Sequence, residues 1–157
     1  MKLFVVLHNI RSAHNVGSIF RSADGAGVDT IFLCGYTPAP TDRFGRPVDE
    51  ILKTSLGATS TVQWEQCDET VACLESLRQR GVTIVAVEQC PNAALYTEMA
   101  YPNDVAFVFG NEIDGVPKEV CDMADSVVYI PMHGKKESLN VGVSAGIVLF
   151  DALRKRS

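Results

Sequence analysis

The chain has 157 residues, 46% hydrophobic and 21% charged, with a formal net charge of −5. That length sets the expectation of one domain, residues 1–157, around one core. The acidic balance argues against a protein that grips long nucleic acid by charge alone, because such proteins carry a basic excess.

The first apolar run, Leu3 to Leu7, is too short for a signal-peptide core or a membrane span, so nothing points to export. Five cysteines, Cys34, Cys67, Cys73, Cys90 and Cys121, are odd in number and contain no C-x-x-C pair, which indicates neither a disulfide framework nor a zinc knuckle. A reducing cytoplasm is the expected compartment. His8, His14 and His133 show no ligand spacing, and no metal is expected.

Leu3 to Leu7 also opens a series of continuous apolar runs that continues at Thr30 to Leu33, Val82 to Val87, Val105 to Phe109 and Val127 to Ile130. Such runs read as strands buried on both faces, the pattern of a parallel sheet. Segments with helical spacing lie between and after them: Val16 to Gly27, Val48 to Leu52, Thr70 to Arg80, Pro117 to Met123 and Leu139 to Lys155. The alternation makes the fold class α/β, a mostly parallel sheet flanked by helices. Gly25 and Gly27 are expected to close the first helix and Gly81 the third, with Asp68 and Asp114 near the starts of others. Gly35 to Pro47, with three prolines and two glycines, reads as a long exposed loop carrying Arg43 and Arg46. Trp64 reads as core; Phe44 is either core or a stacking residue.

In the last helix, Leu139, Val143, Ile147, Phe150 and Leu153 form one apolar stripe, while Val141, Val148 and Leu149 fall outside it. A helix apolar nearly all round is buried on more than one side, and in so small a chain the second surface predicts a homodimer. Gly142 and Gly146 inside it carry a helix cost of about 1 kcal/mol each relative to alanine, so another backbone is expected close by.

Three constellations carry chemistry. Asn15, Gly17 and Arg21 form N-x-G-x-x-x-R at a helix entry after the first strand, where free N–H groups and an arginine suit phosphate; a capped turn with a surface arginine would look the same. Phe109-Gly110-Asn111-Glu112-Ile113-Asp114-Gly115 follows the most hydrophobic strand, where ligands of open α/β sheets bind, although an ordinary strand-to-helix turn is the alternative. Ile130-Pro131-Met132 is followed by Ser138-Leu139-Asn140-Val141. Ser138 there is a candidate helix cap, and Asn140 is a polar residue expected in the first turn that needs partners.

On these residues the sequence resembles the SpoU/TrmH family of SPOUT methyltransferases, whose motifs are N-x-G-x-x-x-R, F-G-x-E-x-x-G and I-P-M followed by S-L-N-V. The match runs nearly the whole chain and departs only at Gly142 and Val116, neither of which touches a chemical role. The resemblance implies a C-terminal deep trefoil knot, a rare exception to the rule against threading. It implies S-adenosyl-L-methionine as cofactor, with S-adenosyl-L-homocysteine as product and no metal. The cofactor would lie among Val87, Glu88, Gly110, Asn111, Gly115, Ile130, Met132, Ser138 and Leu139.

The implied reaction is methyl transfer to a ribose 2′-hydroxyl of tRNA or rRNA. Asn15, Arg21, Glu112, Ser138 and Asn140 are its catalytic set. Arg21 is read as holding the phosphate beside the target ribose and stabilising the developing alkoxide, since a guanidinium with a pKa above about 12 is a difficult base. Glu112 is read as orienting Arg21 or its neighbour; Asn15, Ser138 and Asn140 would position the hydroxyl and that arginine. Arg11, Arg21, Arg43 and Arg46 are the RNA-binding candidates. The rival readings are a non-catalytic RNA-binding or regulatory protein that keeps the knotted fold, and a flavodoxin- or Rossmann-type nucleotide-binding domain. The latter lacks a G-x-G-x-x-G after the first strand.

Overall fold

The computed structural model describes residues 1–101 and 104–156. Its strands are β1 (Leu3–His8), β2 (Thr30–Cys34), β3 (Gln63–Cys67), β4 (Thr83–Val87), β5 (Ala94–Leu95), β6 (Val105–Phe109) and β7 (Ser126–Tyr129). The helices are α1 (Ala13–Ala26), α2 (Asp49–Ser55), α3 (Thr70–Gln79), α4 (Lys118–Met123) and α5 (Val141–Arg156). The strands form one sheet in the order β3-β2-β1-β6-β4-β7-β5, with every pairing parallel.

Burial on both faces explains the unbroken apolar runs. Along β1, Leu3, Val5 and Leu7 enter a core shared with α1, α2 and α5, while Phe4 and Val6 enter a second core under α3 and α4. The expected helices and five strands are present. Two strands escaped the sequence reading: β3 is an edge strand whose Gln63, Glu65 and Gln66 are exposed, and β5 is only two residues long. Trp64 on β3 is half-buried and packs on the first core, as expected, whereas Phe44 is 66% exposed and is no part of either core.

Gly27 closes α1 in the left-handed conformation (φ 70°), its N–H donating to the carbonyls of Ala23 and Asp24. Gly25, expected to help close this helix, instead lies inside it; a Cβ there would come 3.1 Å from the Phe150 ring. That contact belongs to a seam of small residues between α1 and α5. Beside it, Gly142 faces the Ser18 side chain and Gly146 the Ser22 side chain, so the close neighbours of the last helix's glycines are small side chains of α1 rather than the expected backbone.

The orientation of α5 decides which of its apolar faces meets the core. Val141, Ala145, Val148, Leu149 and Ala152 are the buried face, because they meet the sheet and α1. The stripe named from the sequence is the outer face: Val143 is 51% and Phe150 48% exposed, and Leu139, Ile147 and Leu153 are half-buried. Helical periodicity marks two apolar faces in this helix but does not say which meets the core. Among the described residues, no helix is long and apolar enough to cross a membrane.

Candidate active site

Three loops leave the carboxyl ends of β4, β6 and β7, the place where parallel sheets bind ligands. They enclose a cleft of about 940 Å3. Val87, Glu88, Gly110, Asn111, Gly115, Ile130, Met132, Ser138 and Leu139 all line it, as do Asn15, Glu112 and Asn140. Residues that the chain separates by more than a hundred positions therefore share one cavity.

Side-chain to backbone bonds fix the loops. The Glu88 carboxylate accepts the N–H of Gln89 at 2.7 Å and that of Val116 at 2.8 Å, and the Gln89 side-chain amide donates to the Ile130 carbonyl at 2.6 Å. Gly115 is obligatory on two counts: its φ is +69°, and a Cβ would fall on the Glu88 carboxylate. Gly110 leaves no room for a Cβ either, because the Gly115–Val116 peptide lies against it.

Asn111 is buried and fully partnered. Its amide nitrogen donates to the Asn9 carbonyl at 2.7 Å and the Tyr36 hydroxyl at 2.8 Å, and its oxygen accepts the N–H groups of Ile113 and Asp114. Its side chain shapes the loop and has no capacity left for a ligand. Asn9, Tyr36 and Gln89 complete this network and were missed by sequence reasoning. Only the φ of +49° at Asn9, which asparagine tolerates well, marks the first as special, and that is invisible in a single sequence.

Glu112 departs from its expected role. Its carboxylate accepts the backbone N–H of Arg11 at 2.9 Å and of Ser12 at 2.9 Å, and neither oxygen is bonded to Arg21. The physical reason is local: N–H groups just ahead of a helix lack intrahelical partners and carry partial positive charge. Ser12 then caps α1 by accepting the N–H of Asn15 at 3.1 Å.

Asn140 also differs from expectation. It precedes α5 and caps it, Oδ1 accepting the N–H of Gly142 at 2.8 Å, so Ser138 is not the cap. Its Nδ2 donates to Oδ1 of the buried Asn15 at 3.1 Å. The amino-terminal ends of α1 and α5 therefore meet at the cleft through one amide pair. Ser138 is exposed on the cleft wall.

Arg21 does not line the cleft. It is exposed on α1, about 9 Å along the axis from Asn15 at 1.5 Å per residue. It lies on the same side of the molecule as Asn140, because Ser18, one turn before it, faces Gly142. The other basic candidates are exposed too. Arg43 and Arg46 stack on the Phe44 ring at 4.7 and 4.9 Å, and Arg46 pairs with Asp42 at 2.9 Å. Asp42 accepts the backbone N–H groups of Arg46 and Phe44 at the turn, and the bond from Arg46, then that from Phe44, hold its carboxyl below the usual range. The loop thus presents a fixed aromatic ring with two guanidinium groups.

The cleft is acidic: Glu88, Glu112, Asp114, Asp122 and Glu137 face it against the single lysine Lys118. Lys118 pairs with Asp122 at 2.6 Å, and that hydrogen bond raises its pKa. Such a wall favours a cationic ligand over a diphosphate. His8, on the strand end beside this region, bonds Thr70 at 2.7 Å, and burial lowers its pKa against an opposing pull from Glu119.

A parallel sheet with its cleft over three adjoining strand ends defines an α/β ligand-binding fold. Within that class, residues 2–150 match the SpoU rRNA Methylase family, and the chain belongs to it. It is 32% identical over 154 residues to a 23S rRNA (guanosine-2′-O-)-methyltransferase, RlmB, of Xanthomonas axonopodis pv. citri, covering 98% of this chain and 59% of that relative. This chain therefore spans about three fifths of that relative's length. The structure of an AdoMet-bound rRNA methyltransferase from Sinorhizobium meliloti superposes with a TM-score of 0.87 at 30% identity, over 98% of this chain and 56% of that one. A structure bearing on the 2-OH methylation of C/U34 on tRNA superposes with a TM-score of 0.84 at 26% identity, over 99% and 96% of the two chains.

Glu112 is the joint between the second and first motifs. Replacing Glu112 with Ala is expected to speed hydrogen exchange at the amides of Arg11 and Ser12, with Asp114→Ala leaving them unchanged. Equal protection in both variants would remove the clamp from this account.

Proposed function

We propose that the chain, as one unit over residues 1–157, is an S-adenosyl-L-methionine-dependent RNA methyltransferase that acts on a ribose 2′-hydroxyl of tRNA or rRNA in the cytoplasm. The observation that carries this reading is the shared cleft: the nine positions assigned to the cofactor line it together with Asn15, Glu112 and Asn140. Its volume lies in the range of small-molecule sites, about 300–1,000 Å3. The lining suits the group: Val87, Phe109, Ile130 and Leu139 offer apolar contact, and the carboxylates suit a cationic sulfonium and ammonium. The near-complete mutual coverage with the structure concerned with C/U34 makes tRNA the first substrate to test.

When bound, the cofactor supplies a methyl group already activated by positive sulfur. What remains for the protein is to align the sugar oxygen and help it lose a proton. The joined amino-terminal ends of α1 and α5 place partial positive charge at the Asn15–Asn140 pair, where an alkoxide would be stabilised. Arg21 lies outside the cleft of its own chain, on the exposed face of α1. Its Cβ tilts toward the start of that helix, which directs a long side chain back over Gly17 and Ser18, the turn that packs beside Gly142 at the start of α5. The Arg43–Phe44–Arg46 loop offers an aromatic platform and cations for an unpaired base and its backbone, a local basic feature in an acidic protein.

The exposed apolar stripe of α5 supports the homodimer: Val143 and Phe150 adjoin the α1–α5 seam and lie on the same side as Arg21, so a second copy seated there would bring basic residues to each cleft. The knot is proposed with it. In the sheet β7 lies between β4 and β5, so residues 88–93 span it, and the proposed knot has the segment between β7 and α5 pass under that span.

Arg21→Ala is expected to reduce transfer of radiolabelled methyl to tRNA by at least about 100-fold, the scale of losing one charge-stabilising donor, while calorimetry with S-adenosyl-L-methionine still shows binding. NAD and FMN should give no heat. Near-normal turnover of the variant would discard the role of Arg21, and binding of NAD or FMN in place of S-adenosyl-L-methionine would discard the enzyme class. Val143→Glu should shift the protein from dimer to monomer in analytical ultracentrifugation; an unchanged dimer would place the interface elsewhere.

A further inference from the structure

At the opposite edge of the sheet from β4 and β7, the parallel register pairs Cys34, the last residue of β2, with Cys67, the last residue of β3. Paired residues of neighbouring strands point to the same face, here toward α3. Cys73, in the first turns of α3, meets them there, and the three sulfurs lie within 4.8 Å of one another. Cys34 and Cys73 are buried and Cys67 is half-buried. Residues scattered at 34, 67 and 73 carry no sequence signature of a site; the strand register alone assembles them.

A separate cavity of about 520 Å3 opens onto this cluster, lined by Cys67, Asp68, Glu69, Ala72, Cys73 and Ser76. Two of the three cysteines border it, and two carboxylate residues share the same wall. None of its lining residues borders the large cleft.

We propose that Cys34, Cys67 and Cys73 form a thiolate site for one soft divalent metal ion of the zinc class, outside the transfer chemistry. Three thiolates bound at about 2.3 Å in tetrahedral geometry place the sulfurs about 3.8 Å apart, so closing from the observed spacing needs a movement of about 1 Å or less. Sulfur donors select zinc, cadmium and cobalt over magnesium or calcium. Binding releases the three thiol protons to solvent as three metal–sulfur bonds form, with no change in oxidation state. The fourth position faces the cavity, where Asp68, Glu69 or water completes the coordination. The ion would tie the β2 and β3 ends of the sheet to α3, an edge whose outer strand is otherwise polar and exposed.

The test is titration of the fully reduced protein with cobalt(II) followed by zinc(II). One equivalent of cobalt should produce a near-ultraviolet thiolate-to-cobalt charge-transfer band, which one equivalent of zinc abolishes. The band should be lost in Cys67→Ser and in Cys73→Ser and kept in Cys90→Ser and Cys121→Ser, whose thiols stand outside the cluster. Should the cluster variants fail to fold, alkylation of the wild-type protein provides the same decision: bound zinc must protect the half-buried Cys67 while Cys90 reacts at an unchanged rate. Absence of the band, an equal band in the cluster variants, or a disulfide formed by peroxide in a protein that takes up no metal would each overturn the assignment.

Discussion

The amide pair between Asn140 and Asn15 is the contact on which the cleft depends. One side chain closes the start of α5 through its oxygen and reaches the start of α1 through its nitrogen, bridging 125 positions of sequence. Without it, the last helix and the first would still pack along their small-residue seam, but this side-chain bond would no longer join their amino-terminal ends. Glu112 adds the third side, tying the loop after β6 to the two peptide groups that lead into α1. The cleft is thus held mostly by bonds between side chains and backbone, which resist sliding better than apolar contacts do.

This construction divides the motif residues into two kinds. Asn111, Gly110 and Gly115 are spent on the loop itself: one is saturated with internal hydrogen bonds, and the glycines leave space that a Cβ would fill. Ser138, Leu139 and the Asn15–Asn140 pair face the cleft. Arg21 belongs to neither kind in the single chain, since its place is the outer surface of α1 beside the uncovered face of α5. In the proposed function an acidic cleft takes the cationic cofactor and basic residues outside it meet the RNA, which reconciles the net charge of −5 with a nucleic-acid substrate.

The parallel sheet and its flanking helices were legible because burial on both faces of a strand leaves an unbroken apolar run, as in β1 and β6. β3 was not legible: an edge strand faces water, and Gln63, Glu65 and Gln66 carry no pattern that separates it from a loop. The cleft residues were legible through the family resemblance of three motifs, yet their individual roles were not. Glu112 bonds backbone where Arg21 or its neighbour was expected, Asn140 caps the helix it was expected to enter, and the period of α5 did not say which of its apolar faces lies inward. Each of these depends on which neighbour the fold supplies, and hydrophobic period does not encode that. The cysteine cluster is the extreme case, since its members are joined only by the pairing of β2 with β3 and the approach of α3.

The central claim is that the three loops over β4, β6 and β7 form the seat of the methyl donor. Backbone amide NMR of the labelled protein titrated with S-adenosyl-L-homocysteine tests it most directly. The account predicts shift changes concentrated at Val87 to Gln89, Gly110 to Val116 and Ile130 to Val141, with the β2–β3 edge silent. Changes centred on Cys34, Cys67 and α3, with those three loops unmoved, would contradict it.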